Sequence, residues 1–152
     1  MRILPLLFSL VYCGCGVDKS EWQTEYMQVL ERWERAYQGP DAELAYAETL
    51  AYAEYLEKMQ TEEVTFRADE VLVFVYPRLG LLAEHLGREE DAKRHFDQAT
   101  LHARLVHPSD PETKSTEEAF RGYLEEMDTP DKTLWRRQPN QPPQTTATSG
   151  RF

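Results

Sequence analysis

Cysteine is scarce in this chain of 152 residues: Cys13 and Cys15 are the two present, and none follows them. The rest of the chain can therefore form no intramolecular disulfide, and its stability must come from packing. The apolar run that precedes these cysteines, Ile3 to Tyr12, is too short to span a bilayer as a permanent helix. Together these features exclude a disulfide scaffold and a transmembrane anchor built from that run.

Motifs that mark common enzymes are also missing. The sequence has no Gly-rich phosphate loop, no G-x-S-x-G elbow, no His-Glu-x-x-His pair and no convincing cysteine nucleophile. Acidic pairs such as Glu89 with Glu90 fall mostly in first helical turns or on exposed faces, whereas acid/base catalysis needs a carboxylate in a pocket with a shifted pKa. We therefore expect no catalytic residue, no cofactor and no enzyme activity.

Positive charge is in short supply as well. The formal net charge is −10, and all 27 acidic residues lie between Asp18 and Asp131, whereas five of the 17 Lys and Arg lie outside that range. Such a surface disfavours a nucleic-acid partner. It would attract a basic partner, although the simpler interpretation of so many Glu is a solvated helical surface.

The first residues are typical of an export segment, because Arg2 precedes the apolar run and small residues follow it. Their ending resembles a bacterial lipoprotein signal, in which a Leu-like residue, two small residues and then a cysteine mark the cleavage site. Cys15 has Gly14 directly before it but Tyr12 three residues back. Cys13 has an apolar residue three back but the bulky Tyr12 directly before it.

A peptidase pocket should exclude an oversized neighbour of the scissile bond more strictly than it selects an apolar residue farther away, which favours Cys15. The resemblance then implies a signal segment over residues 1–15, a lipid on Cys15 and a location at the bacterial cell envelope, with membrane contact through that lipid only. Three alternatives stay open. They are lipidation at Cys13, a secreted or periplasmic protein cleaved after Gly16, and no processing.

A first helix is predicted over residues 17–39, because apolar and aromatic side chains recur there mostly at spacings of three and four. The stripe consists of Trp22, Tyr26, Val29, Trp33, Ala36 and Tyr37, and Gly39 with Pro40 closes the helix. Two tryptophans on one face, Trp22 and Trp33, could form a sugar or peptide platform. An aromatic helical stripe is nevertheless typical of a core.

A second helix is predicted over residues 41–60, with Asp41 near its start. It has two apolar sides, which is typical of a helix that lies between neighbours. The side expected to face inward comprises Leu44, Ala47, Ala51, Tyr55 and Met59, and the second side comprises Tyr46, Leu50, Ala53 and Leu56.

A third helix is predicted from about Thr61, whose hydroxyl could cap its first turn. It includes Val71 to Tyr76, a β-branched and aromatic run that could also be a buried strand. We favour helix because the sequence has no second strand signal with which that segment could pair, and a lone strand leaves backbone groups unsatisfied. Pro77 should kink this helix or restart it.

The stretch from Tyr76 to Arg104 predicts a helical hairpin. Apolar positions at helical spacing stop at Gly87 and resume shortly after it. Gly87 suits the position just past a helix end, where the backbone is often left-handed. We expect the small Gly80 to lie at the crossing of the two helices, with Phe96 as the bulky side chain between them.

This hairpin resembles one tetratricopeptide unit. The matching positions are an aromatic residue, a Leu-Gly pair, a turn glycine and an Ala, Phe, Ala series: Tyr76, Leu79, Gly80, Gly87, Ala92, Phe96 and Ala99. Ala83 stands where the family usually has Tyr, and Arg104 where it usually closes with proline. A shift of roughly 34 residues, one unit, preserves the pattern in neither direction, so the other helices are at best degenerate copies.

The resemblance implies a concave groove that binds peptides or partner proteins, and hence a non-enzymatic adaptor. Carried over onto this chain, the groove residues lie on the first helix of the hairpin: Phe74, Arg78, Leu81, Glu84 and His85. The alternative for Phe74 and Leu81 is packing on a neighbouring helix. The alternative function is an envelope hydrolase or carbohydrate-binding protein that uses the face of Trp22 and Trp33.

The four histidines lie in the hairpin and its exit: His85, His95, His102 and His107. We expect His95 and His102 to share an exposed face with Asp91, which would pair with His95. The two imidazoles would be about 10 Å apart at about 1.5 Å per residue, too far to share a metal ion. No metal site is therefore expected.

Beyond the hairpin, Ser115 and Glu118 form a capping-box pattern that opens a fifth helix. Leu134 and Trp135 could pack as a short appendix, while the tail, residues 138–152, has almost no apolar content and should be disordered. The predicted fold is an all-α domain of about five helices over residues 18–137, an antiparallel helical-hairpin array similar to a small tetratricopeptide fold.

Overall fold

A computed structural model describes residues 19–62, 67–108, 116–129 and 132–137. Every regular element in those ranges is a helix: α1 (Lys19–Gln38), α2 (Ala42–Glu62), α3 (Asp69–His85), α4 (Glu89–Val106), α5 (Glu117–Met127) and a short 3-10 helix (Leu134–Arg137). The prediction of an all-α fold with five main helices is confirmed. None of the helices described is both long and apolar enough to cross a membrane. The proposed signal segment, with Cys13 and Cys15, and the C-terminal tail lie outside the described residues.

The central element is α3, which packs against α4, α2 and α5. Leu72, Leu79 and Leu82 on this helix are fully buried, and nearly every side chain between them is buried as well. The prediction that Val71 to Tyr76 is helical is confirmed, since the run lies within α3 and four of its six residues are buried. The helix continues through Pro77 and does not restart there.

A tight turn joins α3 to α4 and positions the hairpin. Gly87 has φ of +71°, in the left-handed region that glycine adopts without steric cost. The amide of Arg88 donates to the carbonyl of Ala83 at 2.8 Å, and the amide of Gly87 donates to the carbonyl of Glu84 at 2.9 Å. These two bonds form the Schellman arrangement that ends many helices at glycine. The predicted role of Gly87 is confirmed.

The crossing of α3 and α4 depends on a glycine. A Cβ atom added at Gly80 would lie 2.7 Å from Cε2 of the Phe96 ring, closer than real side-chain contacts permit. Ala92 and Ala99 on α4 are buried on the same helix face as Phe96. The prediction that Gly80 admits the Phe96 ring between the two helices is confirmed.

Aromatic stacking holds α1 against α2. The Trp33 ring stacks on Tyr52 with ring centroids 4.9 Å apart and on Tyr37 at 5.8 Å. The indole nitrogen of Trp33 donates to the hydroxyl of Thr49 at 3.1 Å. The stripe predicted on α1 is therefore its packing face.

The side of α2 that was expected to face inward is wrong for its first half. Leu44 is 50 % exposed and Ala47 is exposed, whereas Tyr46, Ala53 and Leu56 from the second side are buried. The reason is that α2 packs against both α1 and α3, so its buried arc must point between those helices. Two apolar sides in a sequence do not show which neighbour each one meets.

Two helix starts also differ from the prediction. Thr61 belongs to the last turn of α2, where its hydroxyl donates at 2.7 Å to the carbonyl three residues earlier, and α3 begins at Asp69. The cap of α5 is Thr116, whose hydroxyl accepts from the amide of Ala119 at 3.2 Å. Ser115, the predicted cap, lies outside the described residues. A neighbouring threonine offers the same hydroxyl one residue later, so the sequence pattern did not distinguish them.

Replacing Gly80 with alanine tests the helix crossing. The added methyl must displace the buried Phe96 ring, a strain that outweighs the better helix propensity of alanine. We expect Gly80→Ala to lower the free energy of unfolding by about 1–2 kcal/mol, measured by urea denaturation monitored by circular dichroism.

Gly122 provides the matched control, because it lies inside α5 and a Cβ atom there would meet nothing within 4 Å. Gly122→Ala should raise the free energy of unfolding by about 0.5–1 kcal/mol, since only helix propensity changes. Equal stabilisation by the two substitutions would show that α3 and α4 do not cross closely at Gly80.

Candidate functional site

The five residues predicted to line a groove share one face of α3, which is called here the α3 face: Phe74, Arg78, Leu81, Glu84 and His85. Four of them contact the C-terminal part of the chain, which comprises α5, Asp128 and the 3-10 helix. The fifth, Leu81, is half-buried against the core. The structure thus brings the predicted residues together, and it places the chain's own C-terminal part against them.

A buried ion pair lies at the centre of this contact. The guanidinium of Arg78 on α3 contacts both carboxylate oxygens of Asp128, with Nη2 to Oδ1 at 2.9 Å and Nε to Oδ2 at 2.8 Å. Both residues are buried. The hydroxyl of Tyr37 on α1 donates to the same carboxylate at 2.9 Å. Asp128 therefore links α1, α3 and the end of α5.

Aromatic rings surround the same guanidinium. Its central carbon lies 5.9 Å from the Trp33 ring centroid and 5.6 Å from that of Tyr37, within the range of cation–π attraction. Burial, and then the negative charge of Asp128, raise the pKa of Tyr37 well above its usual range. Tyr37 therefore stays protonated and serves as a hydrogen-bond donor. The guanidinium of Arg78 is thus held between the Asp128 carboxylate and the rings of Trp33 and Tyr37.

The C-terminal end of the α3 face, at His85, contacts the 3-10 helix. Trp135 is 2 % exposed, and its ring makes edge-to-face contacts with His85 at 5.2 Å and with Tyr37 at 5.8 Å between centroids. Its backbone amide donates to the carbonyl of Gly39, in the α1–α2 turn, at 3.0 Å. Burial lowers the pKa of His85, which keeps its imidazole neutral against the indole ring.

The N-terminal end of the α3 face, at Phe74, remains open to solvent. The rings of Phe74 and Tyr123 stack at 5.3 Å between centroids while staying 39 % and 44 % exposed. Beside α5, the guanidinium of Arg121 binds both carboxylate oxygens of Glu84 and also lies 4.7 Å from the Phe96 ring centroid. The α3 face thus has a filled inner part and an exposed aromatic edge.

A groove role for these five residues stays a prediction, because their contacts are also those of a packed interface. Sequence reasoning had identified Trp135 as a packing residue but had missed Asp128 and the role of Tyr37. Asp128 is one of 27 acids and carried no distinguishing pattern. The one usable signal was Trp135, a large aromatic residue that follows the last predicted helix.

The two histidines of α4 were expected on an exposed face, and this is wrong. His95 and His102 are both buried, and they lie on either side of the Tyr76 ring, with centroid distances of 6.0 and 5.3 Å. Nε2 of His95 is hydrogen-bonded to the hydroxyl of Tyr46 at 2.9 Å. Asp91 binds Arg94 rather than serving as the polar partner of His95.

The physical reason is the spacing of the α4 packing stripe. His95 and His102 fall at the same helical intervals as Ala92, Ala99 and Ala103, all of which are buried. One ring nitrogen of each histidine has a partner on a neighbouring helix: Nε2 of His95 on α2, and Nδ1 of His102 on α3, 2.7 Å from a carboxylate oxygen of Asp69. The alanine stripe could have revealed this orientation from the sequence.

Among the described residues, no three His, Cys, Asp or Glu side chains are grouped so that they could hold a metal ion. Comparison of the chain with protein-family models, with curated proteins and with solved structures gave no match. Inferences about function therefore depend on the contacts described above.

Stability should depend on pH through His95. Burial lowers the pKa of His95 below its ordinary value of 6.5, so its contribution is fully present above that value and is lost as the pH falls through the folded-state pKa. We expect the free energy of unfolding of the wild-type protein to decrease as the pH is lowered from about 7.5 to about 5.5. The free energy of unfolding of His95→Gln should decrease less over the same range. Urea denaturation at the two pH values measures both.

The exposed His107 supplies the control, because His107→Gln alters the histidine count without altering a buried imidazole. Its unfolding free energy should follow the wild-type pH dependence. A His95→Gln protein with the wild-type pH dependence would refute the assignment.

Proposed function

We propose that this protein is a non-enzymatic adaptor, a tetratricopeptide-like helical array tethered to the bacterial cell envelope by a lipid on Cys15, that binds another protein. The observation that carries the proposal is the exposed aromatic edge formed by Phe74 and Tyr123. No cofactor, metal ion or nucleic acid takes part in this function.

Isolated exposed apolar side chains are ordinary on protein surfaces, but this edge differs in two respects. Phe74 comes from α3 and Tyr123 from α5, so two helices contribute stacked rings to one surface. Met127, which is 41 % exposed, follows Tyr123 by one turn of α5. Aromatic and methionine side chains are enriched at protein interfaces, and such rings commonly dominate the binding energy.

The tether rests on the resemblance of the N-terminal segment to a lipoprotein signal. The array is acidic and would be repelled by anionic lipid, so it has no means of holding the membrane by charge. Acyl chains at about 0.8 kcal/mol per buried CH₂ would supply that affinity if two or more are attached. The short leader predicted over residues 16–19 would then connect Cys15 to α1, which begins at Lys19.

The competing function, a hydrolase or carbohydrate-binding protein that uses Trp22 and Trp33, receives less support from the geometry. Trp33 is stacked on two tyrosines, and its indole nitrogen is bonded to Thr49 between α1 and α2. Both the ring and the polar atom of Trp33 are thus engaged in packing, which leaves little for a sugar. This favours the adaptor.

Site-specific photo-crosslinking in intact cells tests the adaptor proposal. A photoreactive amino acid at Tyr123 should form a discrete adduct with a second protein, because the partner covers the aromatic edge. Introducing Phe74→Glu into the same chain should abolish that adduct, since a charge next to the ring would have to be desolvated on binding.

Two controls accompany this measurement. The photoreactive group at Gln98, an exposed position on α4, should give no such adduct. Cys15→Ser should remove the acyl mass and release the protein from the membrane fraction, and Cys13→Ser should not. Adducts of equal yield at Tyr123 and Gln98 would contradict a binding role for the aromatic edge, and membrane retention of both cysteine variants would contradict the tether.

A further inference from the structure

The 3-10 helix contacts the helical array in the manner of a bound peptide. Trp135 and the preceding Thr133 are buried, while Leu134 between them is 40 % exposed. The surroundings of Trp135 come from three places in the fold: Tyr37 from α1, Gly39 from the α1–α2 turn and His85 from α3. These three residues are called here the Trp135 pocket. A single aromatic anchor in a pocket and one main-chain hydrogen bond are common features of peptide recognition.

Residues 132–137, called here the C-terminal segment, are also hydrogen-bonded to the end of α5. Nη1 of Arg136 donates to the backbone carbonyl of Asp128 at 2.8 Å, and the hydroxyl of Thr133 donates to the backbone carbonyl of Thr129 at 3.1 Å. These bonds fold the segment back on itself and do not attach it to α1 or α3. Trp135 is thus the aromatic anchor of the segment on α1 and α3.

Charge distinguishes this segment from the rest of the chain. All 27 acidic residues lie before residue 132, and three of the five basic residues outside the acidic region belong to this segment: Lys132, Arg136 and Arg137. The guanidinium of Arg136 also lies 5.3 Å from the Trp135 ring centroid. An acidic array with a basic, aromatic segment in its pocket is electrostatically complementary, which favours association.

We propose that the Trp135 pocket is a recognition site for a protein segment in which an aromatic residue is followed by arginine, and that the chain's own Trp135 and Arg136 occupy it until such a segment displaces them. This rests on the proposed adaptor function and specifies the chemistry of the partner. Because only molecules with an open pocket can bind, the apparent affinity for the partner equals the intrinsic affinity multiplied by the fraction of molecules whose pocket is open. The partner therefore has to compete with the chain's own segment.

Binding of a synthetic peptide to the full chain tests this proposal. The probe is a fluorescently labelled KTLWRR, the sequence of residues 132–137, followed by fluorescence anisotropy. Trp135→Ala, which empties the pocket, should bind it at least about tenfold more tightly than the wild-type chain. The matched peptide KTLARR should not bind. Adding His85→Ala to Trp135→Ala should weaken binding by about tenfold or more, because the ring loses one wall of the pocket.

The proposal would be overturned if Trp135→Ala bound the two peptides equally well. It would also be overturned if Trp135→Ala kept the wild-type helix content and bound neither peptide. If Trp135→Ala loses its helix content, the proposal is tested on the wild-type chain instead. A KTLWRR peptide with a photoreactive residue in place of Trp should then attach at high concentration near Tyr37 or His85, and attachment elsewhere overturns the proposal. Failure here leaves the Tyr123 adduct unaffected, so the two proposals fail separately.

Discussion

The ion pair between Arg78 and Asp128 is the interaction on which the arrangement of the α3 face depends. A guanidinium buried on α3 needs a buried counter-charge, and Asp128, which directly follows α5, supplies it. The Tyr37 hydroxyl donates a hydrogen bond to the same carboxylate. Removing one partner of such a pair leaves an uncompensated buried charge, which is costly. The pair therefore holds the end of α5 against α3, and Trp135 beyond it packs on Tyr37 of α1 and His85 of α3. Both the filled inner part of the α3 face and its exposed edge follow from this placement.

This arrangement separates a structural part of the α3 face from an accessible part. Arg78 and His85 are engaged with Asp128 and Trp135, whereas Phe74 stays open beside Tyr123. An adaptor built this way would meet a partner first at the exposed rings. The Trp135 pocket would be reached only when the chain's own segment leaves it. The exposed rings and the Trp135 pocket thus differ in solvent access.

Local chemistry in the sequence predicted the α3–α4 hairpin well. Gly87 adopts the left-handed backbone conformation that the turn requires. Gly80 has no side chain to displace the Phe96 ring. Long-range pairing was not predictable in the same way. Asp128 lies 50 residues from Arg78 and 91 from Tyr37 in the sequence, so only the fold brings these side chains together. In the sequence, Asp128 resembles any other surface acid. The buried face of α2 likewise depends on the positions of α1 and α3, which no local pattern records.

A double-mutant cycle on Arg78 and Asp128 tests the central claim most directly. Arg78→Met keeps the apolar stem and removes the charge, while Asp128→Asn keeps the shape at the end of α5. Each single variant should lower the free energy of unfolding by about 3–5 kcal/mol, because the remaining charge stays buried without its partner. The double variant should lose at least about 1 kcal/mol less than the sum of the two single losses. Losses that add to within about 0.5 kcal/mol would contradict the claim that this pair holds the C-terminal part of the chain on α3.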